Sequence, residues 1–395
     1  MITSHFSNQI KHWSLDQSYT FLNHGSFGAT PTIVLTEQRK FQDLMEAEPV
    51  SFSIRELEPL WDNARKITAE FLGTKGENIV FMKNTTMGVN TVFHSLELKE
   101  GDEILSHDHA YGACINTIKY YAEKNKYHLR IATIPFPIKS EDDVINALVK
   151  EITPKTKLLF LDHITSATGL IFPVKKITEI FKAKGIDVFI DGAHAPGIID
   201  LNIEDIGADY YVGNAHKWIC SPKGSAVLYV HPAKQKNIMP LQISHLYDKS
   251  NAWAKKFFWP GTDDYTSYIS VPKAIEFMGS IFPGGWDELR NNNRELVLKG
   301  RKLIAEKLET ELPAPENMIG HIANILIGKT SLPPYGFNYI HPIQETLFSK
   351  YKIEVPVFTF KKDDPKAWVR ISAQAYNDIS QYEYLADAIK EICML

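Results

Sequence analysis

Short apolar runs alternate with amphipathic stretches along the chain up to about residue 270. Most of these runs contain hardly any polar residue, as expected for strands that are covered on both faces of a sheet. Helical patterns separate many of them, as at 174–184, and this alternation is typical of a mostly parallel sheet in an α/β fold. The predicted strands cover residues 78–81, 102–105, 129–134, 157–161, 187–190, 210–212 and 226–230.

The pattern changes after about residue 270, where long helical stretches surround few strand candidates. We predict a smaller α+β domain there, because 395 residues are too many for one hydrophobic core. Its predicted elements are helices at 286–312, 344–351 and 381–392 and a strand at 368–371. The predicted division of the chain is an N-terminal segment (1–20) that packs on the small domain, a large domain (21–270) and a small C-terminal domain (271–395).

Polar residues follow five of the predicted strands. In open α/β sheets, ligands bind beyond the carboxyl ends of the strands. Five strand ends that carry polar side chains therefore predict one site at this edge of the sheet. The polar segments are 84–86, 107–111, 162–166, 191–194 and 213–217.

Two motifs in these segments resemble the class V aminotransferase superfamily, whose members use pyridoxal 5'-phosphate (PLP). They are Asp191-Gly192-Ala193-His194 and Asn214-Ala215-His216-Lys217-Trp218. The isopenicillin N epimerase-like branch, which also includes C–S lyases of the ergothioneine type, is similar to this chain at 22–28, 84–90 and 259–264. The resemblance extends from roughly residue 20 to 375. It implies a PLP-dependent transferase-like fold (type I) with a mostly parallel central sheet, PLP as the cofactor and an amino acid as the substrate.

Lys217 and Asp191 are the main candidates for catalysis. A partly desolvated amine near other cations has the lowered pKa that a nucleophile needs, so Lys217 would bind the cofactor covalently. The Asp191 carboxylate would pair with the pyridine nitrogen and keep it protonated. The structural alternatives are a surface lysine and a helix N-cap aspartate. His194 would hydrogen-bond the cofactor ring or Asp191, unless it is an ordinary buried histidine.

Thr85 and Thr86 are predicted to open a helix. Hydroxyl and backbone N–H groups at a helix N-terminus form an anion site, here for the cofactor phosphate, although the same residues also serve as plain helix caps. The resemblance implies a hydrogen bond from Ser166 to the phenolic oxygen of the cofactor. Its other implied cofactor contacts are Asn214, His216 and, from the second subunit of a homodimer, Gly261 and Thr262.

An aromatic residue is expected to stack on the cofactor ring, and both His109 and Tyr111 are candidates. The resemblance favours Tyr111, which would also move a proton on the face opposite Lys217. A core tyrosine beneath a loop is the structural alternative. Arg370 matches the position that holds the substrate α-carboxylate, a task that suits the arginine fork, although it would also suit a structural role. The resemblance places Asn23 and His24 near the substrate.

The cofactor does not define the reaction. The resemblance makes epimerisation of the isopenicillin N type the conventional expectation, with β-elimination of a sulfur-bearing amino acid and transamination as alternatives. A cysteine desulfurase would attack the substrate sulfur with a cysteine of the C-terminal part. We reject this activity because no cysteine occurs between residues 276 and 392.

A metallo-hydrolase is the alternative from another class of enzyme. Histidines and carboxylates at strand ends can hold two metal ions. That interpretation leaves Lys217 and the threonine pair unexplained, and we predict no metal site. A non-catalytic binding protein would need a broken site, yet the lysine, aspartate and arginine positions are all filled. The histidines concerned are His107, His109, His163, His194 and His216.

Composition narrows the expected partners and compartment. The net charge is −4, from 43 basic and 47 acidic residues, so we expect binding to neither nucleic acid nor a membrane surface. We expect no signal peptide in the first residues, and no apolar run approaches the roughly 20 residues that span a bilayer. Three scattered cysteines are typical of a reduced cytoplasmic protein.

Overall fold

The structure, a computed structural model, describes residues 5–249, 252–329, 340–360 and 365–393. Its strands are β1 (Thr20–Phe21), β2 (Ile79–Met82), β3 (Glu103–His107), β4 (His128–Ala132), β5 (Thr156–Asp162), β6 (Asp187–Asp191), β7 (Tyr210–Asn214), β8 (Ala226–Val230), β9 (Ile322–Lys329), β10 (Ile353–Glu354), β11 (Val357–Thr359) and β12 (Lys366–Ser372). Each strand predicted from the apolar runs is confirmed, with ends that differ by a few residues.

The α-helices of the described residues separate these strands, and the predicted helices are confirmed among them. They are α1 (His24–Phe27), α2 (Thr32–Ala47), α3 (Pro49–Ser51), α4 (Leu57–Phe71), α5 (Thr85–Ser95), α6 (Gly112–Asn125), α7 (Glu141–Lys150), α8 (Val174–Lys182), α9 (Ile203–Ile206), α10 (Thr266–Ile269), α11 (Val271–Met278), α12 (Gly285–Leu308), α13 (Pro342–Tyr351) and α14 (Ile379–Cys393).

Seven strands form the central sheet in the order β2-β8-β7-β6-β5-β3-β4. Only β8 runs antiparallel to its neighbours, so the predicted mostly parallel sheet is confirmed. The inner strands β6, β7 and β8 are buried along almost their whole length, because helices such as α5 and α8 pack against them. This burial explains why their sequences carry so few polar residues before their carboxyl ends.

The register of the parallel strands aligns their last residues. Asp162 at the end of β5 is the partner of Asp191 at the end of β6, and Val212 of β7 pairs with Asp191 from the other side. Parallel neighbours in register present side chains on the same face of a sheet. The sheet therefore brings the two aspartates together at one edge.

A second, three-stranded antiparallel sheet (β11-β12-β9) lies in the C-terminal part with α12 and α14 against it. Arg370 of β12 lies opposite Asn324 of β9. The early strand β1 pairs in parallel with β10, which ties the start of the chain to this region. The smaller α+β part predicted from the sequence is therefore present, while its boundary at residue 271 stays a prediction.

The N-terminal segment packs against residues near the end of the chain. The Ser7 amide donates to the Tyr376 carbonyl at 3.0 Å, and the Trp13 ring meets the Tyr376 ring edge-on at 5.1 Å. The Trp13 indole also donates to the Ala29 carbonyl at 3.1 Å. None of the helices within the described ranges is long and apolar enough to span a membrane.

Candidate active site

A cavity of about 710 Å³ lies at the carboxyl ends of the central strands. Side chains from the five polar segments and from β12 line it, although β12 lies about 150 residues after the last of these segments in the sequence. The predicted site residues that line it are Thr85, Thr86, Tyr111, Ser166, Asp191, His194, Asn214, His216, Lys217 and Arg370. Asn23, His24, Gly261 and Thr262 do not line it within this chain.

Lys217 projects into this cavity from the turn after β7. Burial and then the Arg370 guanidinium lower the pKa of its amine to about 8. An amine with such a pKa is partly unprotonated near neutral pH, and only the unprotonated form is a nucleophile.

The Lys217 amine contacts His194 Nε2 at 3.0 Å. The Trp218 indole lies on the other side of this ring, with its Nε1 3.2 Å from His194 Nδ1. An indole N–H can only donate, so His194 Nδ1 accepts and the neutral ring carries its proton on Nε2. His194 therefore donates to an unprotonated Lys217 amine. Burial holds the pKa of His194 well below its usual value, so the ring is neutral, as this arrangement requires.

His24 lies behind Lys217 and is fully buried. Its Nε2 donates to the Lys217 carbonyl at 2.9 Å, and its Nδ1 accepts from the Tyr376 hydroxyl at 2.8 Å. Gly28, four residues on, has φ +72°, and a Cβ there would collide with the backbone of His216. The segment 24–28 thus supports the lysine-bearing turn from below, whereas the resemblance had placed His24 beside the substrate.

Two buried carboxyl groups share the base of the cavity. Asp191 Oδ1 accepts from the Ala193 amide at 3.0 Å, and its Oδ2 accepts from the Cys114 thiol at 3.3 Å. Burial and the nearby Asp162 raise the pKa of Asp191 to about 7. Burial raises the pKa of Asp162 well above its usual value. Since two like charges this close repel, one of the two carboxyls is expected to stay protonated.

Asp162 is the better candidate for the protonated carboxyl. Its Oδ2 lies 3.2 Å from His107 Nε2, which already accepts a hydrogen bond from the Asp162 amide and so carries no proton. Oδ2 receives no hydrogen bond from the described residues, and a carboxylate there would face the His107 nitrogen without a donor, so the protonated form is favoured. The sequence placed Asp162 in the polar segment 162–166 and among the strand-end carboxylates of the metal alternative, but it assigned Asp162 no role toward the cofactor.

Helix α5 points its N-terminus at the cavity. Asn84 caps it by accepting from the Met87 amide at 2.9 Å, and Asn214 accepts from the Thr85 amide at 3.1 Å. The hydroxyls of Thr85 and Thr86 line the cavity at this end. Amides and hydroxyls at a helix N-terminus attract an anion.

Two further groups lie at this end of the cavity. His216 donates from Nδ1 to the Ser225 carbonyl at 2.8 Å, which leaves Nε2 as an acceptor, and burial lowers its pKa to about 4. Lys83 also lines the cavity and pairs with Asp263 at 2.6 Å. The sequence did not single out Lys83 as a site residue, although its position directly before the polar segment 84–86 was a signal for one. Thr262, beside Asp263, is exposed.

Arg370 enters the cavity from β12 on the opposite side. Its guanidinium donates to the Ser166 carbonyl and to Ser26 Oγ at 2.9 Å. Ser26 donates in turn to Asn23 Oδ1 at 2.6 Å, and Asn23 donates to Glu354 at 3.1 Å. Burial lowers the pKa of Arg370 to about 10. Across the described ranges, no carboxylate lies within ion-pair distance of this guanidinium, so it is available to a ligand carboxylate.

Tyr111 and His109 differ in their access to the cavity. Tyr111 lines it and is 43% exposed, and burial raises the pKa of its hydroxyl. His109 is buried, and its Nδ1 and Nε2 bond to Thr168 Oγ1 at 2.7 Å and to the Ile134 carbonyl at 3.2 Å. The geometry therefore supports Tyr111 over His109 as the residue that faces a cofactor ring.

The strand-end histidines do not converge on a common point. His163, for example, bonds to the Tyr211 hydroxyl at 2.9 Å, and His107 faces Asp162. Within the part of the chain that the structure describes, no group of three or more potential ligands could hold a metal ion. None of the three cysteines lines the cavity.

This fold and site define the class of the protein. A lysine at the carboxyl edge of a mostly parallel sheet, a buried aspartate beside it and a helix N-terminus for an anion are the arrangement of PLP-dependent enzymes of fold type I. The family model described as "Aminotransferase class-V" matches residues 28–331. The chain belongs to this family, and its cofactor is PLP.

Individual relatives span nearly the whole chain. An isopenicillin N epimerase from Amycolatopsis lactamdurans is 31% identical over 410 residues, covering 99% of this chain and all of the relative. A probable chloroplastic L-cysteine desulfhydrase from Arabidopsis thaliana is 28% identical, covering 95% of this chain and 83% of the relative. The solved cystine C-S lyase C-DES, in complex with cysteine persulfide, has the same fold, with a TM-score of 0.77 at 21% identity and coverage of 94% and 97%. The family resemblance expected from the motifs is confirmed.

Proposed function

We propose that this enzyme removes the α-proton of an amino-acid substrate and then expels a β-substituent bound through sulfur. The observation that carries the proposal is the combination of three groups in one cavity: the Lys217 amine, the Arg370 guanidinium without a carboxylate partner and the protonated Tyr111 hydroxyl. The amine would accept the α-proton, the guanidinium would bind the α-carboxylate, and the hydroxyl would protonate the leaving group.

The site fits PLP in three respects. The amine of Lys217 is the covalent attachment point, the Asp191 carboxylate would hold a proton at the pyridine nitrogen, and the start of α5 would hold the phosphate. Ser166 and His194 line the same cavity and would contact the ring substituents. When bound, PLP withdraws electrons from the substrate Cα and so weakens the bonds to it.

The phosphate has further candidate contacts. Asn214 and His216 lie beside the helix start, and a phosphate dianion would favour a proton on His216 Nε2. Gly261 and Thr262 lie outside the cavity of their own chain. A contact from these two residues to the phosphate requires a second subunit, so the homodimer stays a prediction, as does the cytoplasmic compartment.

Lys217 and Arg370 act on the substrate from different sides. The guanidinium fork binds the α-carboxylate in two parallel hydrogen bonds, which orients the α-carbon. Lys217 Nζ, once released by the incoming amino group, accepts the α-proton as a general base. His194 positions this amine, because its Nε2–H points at the amine nitrogen.

The Tyr111 hydroxyl completes the elimination. As the Cβ–S bond breaks, its electron pair stays on sulfur, and Tyr111 donates the proton that makes the leaving group a neutral thiol. A tyrosine with a raised pKa remains protonated at neutral pH, so it is a proton donor rather than a base. The remaining fragment hydrolyses to pyruvate and ammonia.

Epimerisation is the second candidate. It is supported by the identity to the Amycolatopsis lactamdurans relative, and it requires Tyr111 to exchange its proton with the second face of the α-carbon. The decisive assay incubates the purified protein with S-substituted L-cysteines and records pyruvate, thiol and the D-isomer. Pyruvate together with thiol supports elimination, whereas D-isomer without pyruvate rejects it in favour of epimerisation.

Tyr111→Phe is expected to slow pyruvate formation on the order of 10²-fold, because the leaving sulfur loses its proton donor. Exchange of the α-proton with deuterated water, followed by nuclear magnetic resonance, should continue, since Lys217 remains. Tyr120→Phe, in the helix α6 that follows Tyr111, is the matched control, because Tyr120 is 59% exposed and lies outside the cavity. Equal losses of exchange and elimination in Tyr111→Phe would contradict this role.

Asp191→Asn is expected to lower kcat on the order of 10²-fold, because an amide cannot hold a positive charge at the pyridine nitrogen. Asp162→Asn is the matched comparison, since its side chain lies at the same sheet edge but contacts His107. We expect the smaller loss in Asp162→Asn. Steady-state kinetics on both cofactor-saturated variants measures this difference, and the opposite order would reassign the two carboxyls.

A further inference from the structure

A second cavity of about 410 Å³ adjoins the first and shares Tyr111, Ser166 and Arg370 with it. It lies between the loop that leads into α6 and the residues of β11 and its flanks. Its position continues the cofactor site away from Lys217, which lines only the first cavity. Because Arg370 lines both cavities, an amino acid whose α-carboxylate binds its guanidinium would lie next to the second cavity.

Aromatic rings form one wall of the second cavity. Phe358 lies directly opposite Trp368, and side chains at such paired positions share one face of an antiparallel pair. Arg370, two residues after Trp368, projects from that same face. Beyond Phe358, the Phe360 ring meets His109 edge-on at 4.5 Å. The wall therefore begins beside the guanidinium and continues outward from it.

Few charges face this space. Among the described lining residues, Arg370 and Asp108 are the charged ones, and Asp108 accepts from the Ile134 amide at 2.9 Å. With Arg370 engaged by the α-carboxylate, a second carboxylate on the ligand would meet no further cation among the described lining residues. Burying a carboxylate without a partner is costly, so the cavity disfavours acidic side groups.

We propose that this second cavity binds the sulfur substituent of an S-conjugated cysteine, and that the substituent is bulky, largely apolar and free of negative charge. The thiol of free cysteine would leave most of the space without contacts, whereas an aromatic or branched aliphatic group gains burial against Phe358 and Phe360. The proposal rests on the proposed elimination, since it names the substrate class of that same site.

Gly112 offers a way to block the cavity without disturbing its walls. It lines the cavity as the first residue of α6, and a Cβ built there meets nothing within 4 Å. Gly112→Phe places a ring in the open space. Gly112→Ala is the matched control, because it changes the same backbone position and adds only a methyl group.

The experiment measures binding without requiring turnover. Three amino acids that lack a leaving group are titrated into the PLP-loaded protein, and the change in cofactor absorbance reports binding: L-homophenylalanine, L-2-aminobutyrate and the acidic L-2-aminoadipate. We expect homophenylalanine to bind at least about tenfold more tightly than either of the others. Gly112→Phe should remove this preference and leave aminobutyrate binding unchanged, while Gly112→Ala should keep it.

The outcomes separate the two proposals. If homophenylalanine binds no better than aminobutyrate, or if Gly112→Phe weakens both ligands equally, the second cavity is not the substituent site. If the binding pattern holds but no S-substituted cysteine yields pyruvate, the cavity assignment stands and the proposed elimination fails. Faster turnover of S-benzyl-L-cysteine than of cysteine and S-carboxymethyl-L-cysteine, lost in Gly112→Phe, supports both.

Discussion

Lys217→Ala should lose pyruvate formation by at least about 10³-fold, because one amine both attaches the cofactor and accepts the α-proton. The variant should still bind PLP through the carboxyl and phosphate contacts. Borohydride reduction followed by mass measurement should then fix the cofactor to the wild type and not to Lys217→Ala. Added methylamine or ethylamine should restore part of the rate, because the truncated side chain leaves room beside His194 for a free amine.

Lys223→Met is the matched control for this experiment. Lys223 lies in the same segment of chain, and its amine bonds to the Gly28 carbonyl at 3.0 Å outside the cavity. Borohydride should fix the cofactor to this variant as it does to the wild type. Fixation that survives in Lys217→Ala and disappears in Lys223→Met would move the attachment point and overturn the assignment.

Arg370→Gln should raise KM for α-amino acids roughly 10²-fold, because the α-carboxylate loses its two charge-assisted hydrogen bonds. Arg370→Lys should fall between the wild type and Arg370→Gln, since a lysine keeps the charge but lacks the planar fork. Steady-state kinetics measures the three values. An amine ligand without a carboxylate should bind all three proteins equally, and a loss of that binding would indicate a general disturbance of the site.

Although Arg370→Gln weakens substrate binding, it is not expected to lower the stability of the substrate-free protein. The Arg370 guanidinium is desolvated and has no carboxylate partner among the described residues, so it costs free energy in the substrate-free protein. The Tm of substrate-free Arg370→Gln should therefore equal or exceed that of the wild type. A large fall in Tm would show that the bonds to Ser166 and Ser26 serve the fold more than the ligand.

The sequence predicted the sheet and the position of the site because both depend on local pattern and topology. An apolar run of five residues forms a buried strand wherever the sheet is covered on both faces, and parallel strands place their carboxyl ends together. The residues just after those ends, such as Asp191 and Lys217, are therefore assigned to one cavity by the strand pattern alone.

Contacts between distant segments could not be predicted in this way. His194 was expected to bond Asp191 or the cofactor ring, and its contact with Lys217 depends on where the Trp218 indole happens to lie. The support of Lys217 by His24 joins residues 193 positions apart. The second cavity combines a loop near residue 110 with the strand that contains Phe358, and neither carries a motif that points to the other.

The hydrogen bond between His24 and the Lys217 carbonyl also has a consequence for the order in which parts of the protein fold. His24 leaves the ribosome long before its partners Ser372 and Tyr376, which are synthesised 348 and 352 residues later. Domains fold as they emerge, and contacts of such long sequence separation form late. The central sheet can therefore assemble during translation, before His24, which supports the turn of Lys217, has its partners Ser372 and Tyr376. A nascent chain arrested before residue 370 should fold its sheet but retain PLP poorly.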